Sequence, residues 1–215
     1  MQAEILIPGF ARPYVAGDRL DGSAPLAAAV DGFATAAECA ALIARIEALG
    51  PDAAPISTVR GAVMRPDVRN NARVMFDDVD LGARLFARLA PHVPARLCGR
   101  RAVGLNERFR GYRYTPGQRF APHYDGAFMR DASEASLLTL LIYLDDGCQG
   151  GATGFLDHGV AMAPRQGRAL WFQHQLLHEG AEVTAGTKYV LRSDVMYRAD
   201  AVSYTHLTLP TKRIV

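Results

Sequence analysis

The chain has 215 residues, 49% hydrophobic and 21% charged, which suits one soluble globular domain large enough to enclose a core and a cleft. Its formal charge of +2 comes from 24 basic and 22 acidic residues, and Lys212 and Arg213 sit in a foreign-looking tail; without them the balance is zero, so composition gives no support to a nucleic-acid-binding surface. No stretch reaches the ~18 apolar residues of a membrane helix, the first ten residues lack the basic-then-apolar order of a secretion signal, and Cys39, Cys98 and Cys148 form no CxxC pair, so a cytoplasmic protein without disulfide framework or cysteine zinc site is expected.

Residues 1–31 mix Pro, Gly, Asp and Ala without a sustained period, which predicts an irregular or partly extended lead-in. Thr35-Ala-Ala-Glu38 offers a capping box, and Cys39, Leu42, Ile43, Ile46 and Leu49 then recur at helical spacing until Gly50-Pro51 stops them. After a short strand near 73–76, Asp80 is the expected cap of a second helix whose Leu81, Leu85, Phe86 and Leu89 share a face, ending near Pro91. From Asn106 the period changes from 3.6 to 2. Strands are predicted near 107–114, 119–125, 137–144, 152–156, 168–173, 178–183 and 187–197, punctuated by Pro-Gly, Asp-Gly and Gly-Gly. Two helices followed by this run of strands indicate an α+β, mainly β fold: a sandwich or jelly roll flanked by N-terminal helices. The expected organisation is a single domain over 1–200, with helical support at 32–100 and a jelly-roll core at 106–197. The final stretch VSYTHLTLPTKRIV, residues 202–215, does not continue the pattern, looks like translated sequencing-adapter DNA, and is set aside as an artefactual tail.

In FAPHYDGAF, strand alternation puts His123 and Asp125 on one side with Tyr124 on the other, so two metal-ligand types converge. A third ligand must come from elsewhere, and ALWFQHQLLHEGAEV offers His174 and His178. Two imidazoles and one carboxylate on one face of an iron ion leave adjacent positions open for co-substrate and oxygen. An HxD dipeptide is common by chance and carries little weight alone. In GTKYVLRSDVMYR, Lys188 and Arg192 share one face while Tyr189, Leu191, Val195 and Tyr197 occupy the other. If the apolar face packs on the helices, two cations point inward, and each needs an anion from the protein or from a ligand carboxylate; a plain charge pair between Arg192 and Asp194 is the simpler alternative.

Four segments in this order, YRYTPGQRFAPHYDG, LLIYLDDGCQGGATGF, PRQGRALWF and LLHEGAEVTAGTKYVLRSDVMYR, resemble the prolyl 4-hydroxylase-like branch of the Fe(II)/2-oxoglutarate dioxygenases from Tyr112 to Tyr197, and GFATAAECAALI resembles that family's N-terminal helix. The resemblance implies a double-stranded β-helix, with Fe(II), 2-oxoglutarate as co-substrate and ascorbate as a further ligand. It implies that His123, Asp125 and His178 are the metal ligands, leaving His174 in a loop. Lys188, ten residues after His178, falls where the far carboxylate of 2-oxoglutarate is paired, and Tyr114 where a tyrosine hydrogen-bonds that carboxylate; Arg192 is the rival, since related branches use arginine at other offsets. The GGxTxF pattern, Gly150 to Phe155, is read as a strand and turn supporting the site, and Tyr112, Gln118 and Trp171 as packing or pocket wall. The implied reaction is hydroxylation of an unactivated C–H bond in a peptide, protein side chain or small molecule, with release of succinate and CO2. Two other classes fit parts of the pattern: a cupin-like divalent-metal module without oxygenase activity, which leaves Lys188 and Tyr114 unexplained, and a nucleic-acid demethylase, which the zero net charge disfavours. The loops at 53–72 and 126–136 are expected to shape the entrance.

Overall fold

The computed structural model describes residues 1–10, 13–58 and 61–200, so the tail expected over 202–215 lies outside the described residues. Among these residues ten strands join one antiparallel sheet. Its main path runs Ala3–Ile7, Ala27–Val30, Ala169–Gln173, Glu134–Tyr143, Lys188–Ala199, Arg108–Tyr114, Ala72–Asp77, Asp52–Ala53. The strand Lys188–Ala199 is long enough to pair with Arg108–Tyr114 through its first half and with Arg100–Leu105 through its second, and Arg96–Leu97 extends that branch. A smaller sheet of Phe120–His123, His178–Gly180, Thr153–Phe155 and Val160–Met162 packs against the large one. The result is the expected jelly roll.

Period-2 alternation decides what each face of the large sheet buries. Leu138, Leu140 and Ile142, Ala169 and Trp171, and Leu191, Val195 and Tyr197 point outward into a cluster with the two helices. Tyr143, Leu170, Phe172, Tyr112, Tyr114 and Val190 point inward against Phe155 and Met162 of the small sheet. The first helix, α1 (Ala36–Ala48), carries the expected capping box, with Thr35 accepting from the Glu38 backbone and Glu38 accepting from Thr35, and buries Cys39, Leu42 and Ile46. The second, α2 (Val79–Leu89), buries Leu81, Leu85 and Leu89. Each fully buried Leu or Ile of these stripes contributes roughly 1.5–3 kcal/mol, against about 1 kcal/mol for a good cap. The stripe therefore anchors each helix and the cap sets where it begins. Gly111 lets α1 come close, since a Cβ there would fall 2.5 Å from Ile46 Cγ1.

One expectation, the partly extended lead-in, is sharpened and two are corrected. The lead-in contributes two regular strands, Ala3–Ile7 and Ala27–Val30, and the second is buried between its neighbours. Residues 32–100 supply more than helical support, because Ala72–Asp77 pairs along its length with Arg108–Tyr114 and the large sheet reaches well upstream of 106. The cap of α2 is Asp78, whose carboxylate accepts from the Leu81 backbone, while Asp80 sits in the first turn. Asp78 also holds Arg45 of α1, which ties the two helices together.

Candidate active site

His123 ends a strand of the small sheet and His178 begins the adjacent one, and the two residues are direct partners across that antiparallel pair. Asp125 follows two residues after His123, beyond the strand end, where its backbone N–H donates to the His174 carbonyl at 3.0 Å. One ligating atom from each of His123, Asp125 and His178 lies within 4.8 Å of the other two. His123 Nε2 is 3.7 Å from Asp125 Oδ1, and His178 Nε2 is 3.5 Å from Asp125 Oδ2. Donors held by one ion at bonds of about 2.1 Å and right angles stand ~3 Å apart, so a small contraction places all three on a metal.

Backbone carbonyls fix which nitrogen of each imidazole faces this point. His123 Nδ1 lies 2.8 Å from the Ala121 carbonyl and His178 Nδ1 lies 2.9 Å from that of Leu176. A carbonyl only accepts, so each Nδ1 carries the proton and each Nε2 presents a lone pair. Rings brace them as well: Phe120 stacks on His123 with centroids 3.6 Å apart, and Phe172 lies 4.4 Å from His178. Burial pushes the His123 pKa down to about 4, with His178 adding to the effect, and burial also lowers His178. Both rings are neutral and ready to ligate at neutral pH. Burial opposes ionisation of Asp125, but the Arg192 guanidinium beside it outweighs this and holds the carboxyl below its usual range.

His174 is not drawn to this point. It occupies the expected turn, yet it is buried, with Nδ1 2.9 Å from Thr139 Oγ1 and Nε2 2.8 Å from Ser136 Oγ. Thr139 in turn donates to Asp125 Oδ2 at 2.5 Å. His174 and Thr139 thus orient the carboxylate from behind, roles that reading the chain by ligand spacing overlooked. The available signal was Thr139 itself, the one aliphatic hydroxyl inside LLTLLIYL.

Lys188 and Arg192 both point between the sheets as alternation demands, but their surroundings differ. Lys188 is 3% exposed, pairs across strands with Tyr114, donates to the Gly151 carbonyl at 2.5 Å, and places Nζ 4.9 Å from the Tyr114 ring. Among the described residues no carboxylate lies within salt-bridge reach of it. Burial pushes its pKa down to about 8, partly opposed by Cys148 and Asp145. Burial also raises the Tyr114 hydroxyl to about 12, so it remains a donor. Arg192 is already engaged: Nη1 lies 3.0 Å from Asp125 Oδ1 and Nη2 3.3 Å from Asp194 Oδ1. The GGxTxF segment supports the inner wall through the Gly151 carbonyl and through Thr153, which accepts from the Tyr143 hydroxyl at 2.7 Å. Gln118 closes a turn by accepting from Thr115 N, and Trp171 packs toward the helices.

Two cavities meet at the ligand set. The inner one is lined by Tyr114, Thr153, Phe172, Lys188 and Val190 beside the three ligands. The outer one, a funnel of about 550 Å³, shares Tyr112, Phe120, His123, Asp125 and Arg192 with it and takes Pro55, Ile56 and Val68 from one expected entrance loop and Gly126, Ala127 and Phe128 from the other.

Residues 109–193 match the 2OG-Fe(II) oxygenase superfamily. No curated protein sequence matches the chain. Among solved structures, the viral collagen prolyl hydroxylase of Paramecium bursaria Chlorella virus-1, in its 2OG complex, is similar at 20% identity and TM-score 0.57, over 80% of this chain and 96% of the other. A Pseudomonas putida prolyl-4-hydroxylase aligns at 19% identity and TM-score 0.57, over 82% and 94%. A Trichoplax adhaerens prolyl hydroxylase, solved with a hypoxia inducible factor peptide fragment, aligns at 17% identity and TM-score 0.60, over 79% and 83%. At these identities the structures establish the shared fold.

The Thr139 hydroxyl tests the support of Asp125. Replacing a group that orients a metal ligand typically costs about 10–100-fold in metal affinity. Thr139→Val keeps the side-chain shape and should weaken Mn(II) binding by about that factor in calorimetry, with a loss of stability of about 1–3 kcal/mol from the unpaired His174 and Asp125; wild-type affinity would show that the hydrogen bond is idle.

Proposed function

We propose that the chain, whose residues 109–193 match the 2OG-Fe(II) oxygenase superfamily, is a prolyl 4-hydroxylase-like hydroxylase with His123, Asp125 and His178 as its metal ligands and Lys188 as the anchor of 2-oxoglutarate. Bound Fe(II) and 2-oxoglutarate supply the chemistry, placing one oxygen atom of O2 in a C–H bond of the substrate and the other in succinate, with loss of CO2. The chain's residues hold and orient these partners. The observation that carries the reading is a buried cation with no carboxylate partner among the described residues, lining the same cavity as three converged metal donors.

A buried ammonium held by one carbonyl and the faces of Tyr114 and Tyr143 but by no anion is costly, and a ligand carboxylate would offset that cost. Tyr114 stands beside it with no hydrogen-bond partner among the described residues, free to donate to the same group. Arg192 is the weaker candidate because Asp125 and Asp194 already neutralise it. Its part is to keep Asp125 ionised and aimed. The inner walls, Phe172, Val190 and Leu141, exclude water from the reacting centre. A cupin-like metal module would have no use for Lys188 and Tyr114. The unpaired state of all three cysteines accords with a cytoplasmic enzyme. The peptide in the Trichoplax structure makes a peptide substrate one candidate, with small molecules the other.

Oxygen-dependent release of succinate from 2-oxoglutarate, in the presence of Fe(II) and ascorbate, tests the activity. Removing one partner of a buried charge pair costs about 3–5 kcal/mol, so Lys188→Ala should raise the 2-oxoglutarate requirement by about two orders of magnitude or more while Mn(II) affinity changes little. Arg192→Ala should instead weaken Mn(II) binding. The reverse pattern, with Arg192→Ala abolishing 2-oxoglutarate binding and Lys188→Ala silent, would move the anchor to Arg192.

The pH dependence follows from the Lys188 pKa of about 8. The cation is the binding form, and a bound carboxylate stabilises it, so binding takes up a proton above the free value. Affinity for 2-oxoglutarate should be level below about pH 8 and fall by up to about tenfold per pH unit above it, until the raised pKa of the complex is passed. Titration calorimetry from pH 7 to 10 reads this directly; an affinity independent of pH over that range would exclude Lys188.

A further inference from the structure

The outer funnel carries more positive charge than the proposed oxygenase site needs. Arg69, Arg73, Arg110 and Arg192 all line it, and the acidic residues among its lining are Asp125 and Asp194. The sheet register produces this crowding: Arg192 and Arg110 are direct partners on adjacent strands, and Arg73 pairs with Tyr112 on the next. Like charges placed opposite each other repel. Arg192 and Arg110 are reconciled by Asp194, which lies 3.3 and 3.1 Å from their guanidiniums, and Arg192 also has Asp125. Nothing comparable serves the other two. Arg69 is 4% exposed, donates Nε–H to Asn71 Oδ1, stacks over the rings of Tyr112 and Phe120, and has a buried Nη2 without a partner among the described residues. The buried Tyr112 hydroxyl, held among Arg69, Arg192 and Arg110, makes no hydrogen bond of proper geometry either. Arg73 is half-buried with no carboxylate partner among the described residues, and burial together with Arg69, Arg110 and Arg192 makes its charged form harder to keep.

A buried donor left unpaired calls for an explanation, and here, unlike at Trp171 and Asn106, the unpaired groups line an open cavity where a ligand could complete them. We propose that this funnel is an oxyanion-binding substrate subsite, in which Arg69, Arg73 and Tyr112 take a carboxylate or phosphoryl group of the small molecule to be hydroxylated. The volume of about 550 Å³ suits a small molecule. Guanidiniums match the geometry of both oxyanions, and Phe120, Tyr124 and Phe128 provide apolar wall for the rest of the molecule. The subsite opens onto His123 and Asp125, so an anchored anion would leave the neighbouring carbon atoms facing the metal ligands. This inference rests on the hydroxylase reading for its meaning, while the anion site is measurable without turnover.

The probes are inorganic phosphate, benzoate and the neutral isostere benzamide, titrated by calorimetry into protein saturated with Mn(II) and N-oxalylglycine, an inert 2-oxoglutarate analogue, and also into metal-free protein. Benzoate or phosphate should bind the loaded protein and benzamide should not, and whichever oxyanion binds more tightly identifies the group the substrate carries. Arg73→Ala should weaken that binding by about tenfold or more and leave N-oxalylglycine affinity within about twofold. Arg69→Gln should act in the same direction, and because Arg69 is packed between rings the half-buried Arg73 keeps the test independent of folding. Equal binding of benzamide, absence of oxyanion binding, wild-type affinity in Arg73→Ala, or displacement of N-oxalylglycine by the probes would each overturn the subsite. Failure of Mn(II) and N-oxalylglycine to bind would count against the hydroxylase reading instead, and the metal-free titration would still decide the anion site.

Discussion

The strand Lys188–Ala199 has to bury charge on one face and apolar surface on the other, and most of the molecule is arranged to make that possible. Its outward residues Leu191, Val195 and Tyr197 join the cluster that holds both helices. Its inward residues Lys188, Val190, Arg192 and Asp194 form a row between the sheets. Because the side-chain period is two, a slip of one residue would send the cations into the helix interface and the leucine into the site. The long pairings with Glu134–Tyr143 on one side and with two strands on the other fix the register against that slip.

Charge inside this fold is sorted by whether the protein neutralises it. Arg192 is balanced by Asp125 and Asp194, and Arg110 by Asp194, so these charges offset one another, although Arg192 Nε stays unpaired, and removing one would leave another buried without its counter-charge. Among the described residues, Lys188 on one side of the ligand set and Arg69 with Arg73 on the other have no such balance. The cations left over therefore flank the metal donors, one toward the inner cavity and two toward the funnel. On this reading two anions meet at the metal from opposite directions, the co-substrate from within and the substrate from outside.

Much of this was legible along the chain, for identifiable reasons. The alternation after Asn106 placed the strands that carry His123, Lys188 and Arg192, and the inward direction of both cations followed from it, because each of those segments has one apolar face to bury. The capping box at Thr35 fixed the start of α1 for the same kind of local reason. What stayed hidden depends on distant pairing. Ala27–Val30 is a strand because it is buried between Ala3–Ile7 and Ala169–Gln173, and AAAV carries little strand propensity of its own. Asp78 and Asp80 are equally able to cap, and Asp78 alone also reaches Arg45. The funnel arginines come from residues 69, 73, 110 and 192, so no local pattern announces them, and the bracing of Asp125 by Thr139 and His174 emerges only when three segments meet.

The central claim is that His123, Asp125 and His178 hold Fe(II) in a way that leaves room for 2-oxoglutarate to chelate it. Anaerobic addition of Fe(II) and then 2-oxoglutarate, followed by visible absorption, tests this without substrate or turnover. A weak charge-transfer band should appear only when both are present and should be lost in Asp125→Ala, in which the carboxylate ligand is gone. No band in wild type, or an unchanged band in Asp125→Ala, would contradict the assignment.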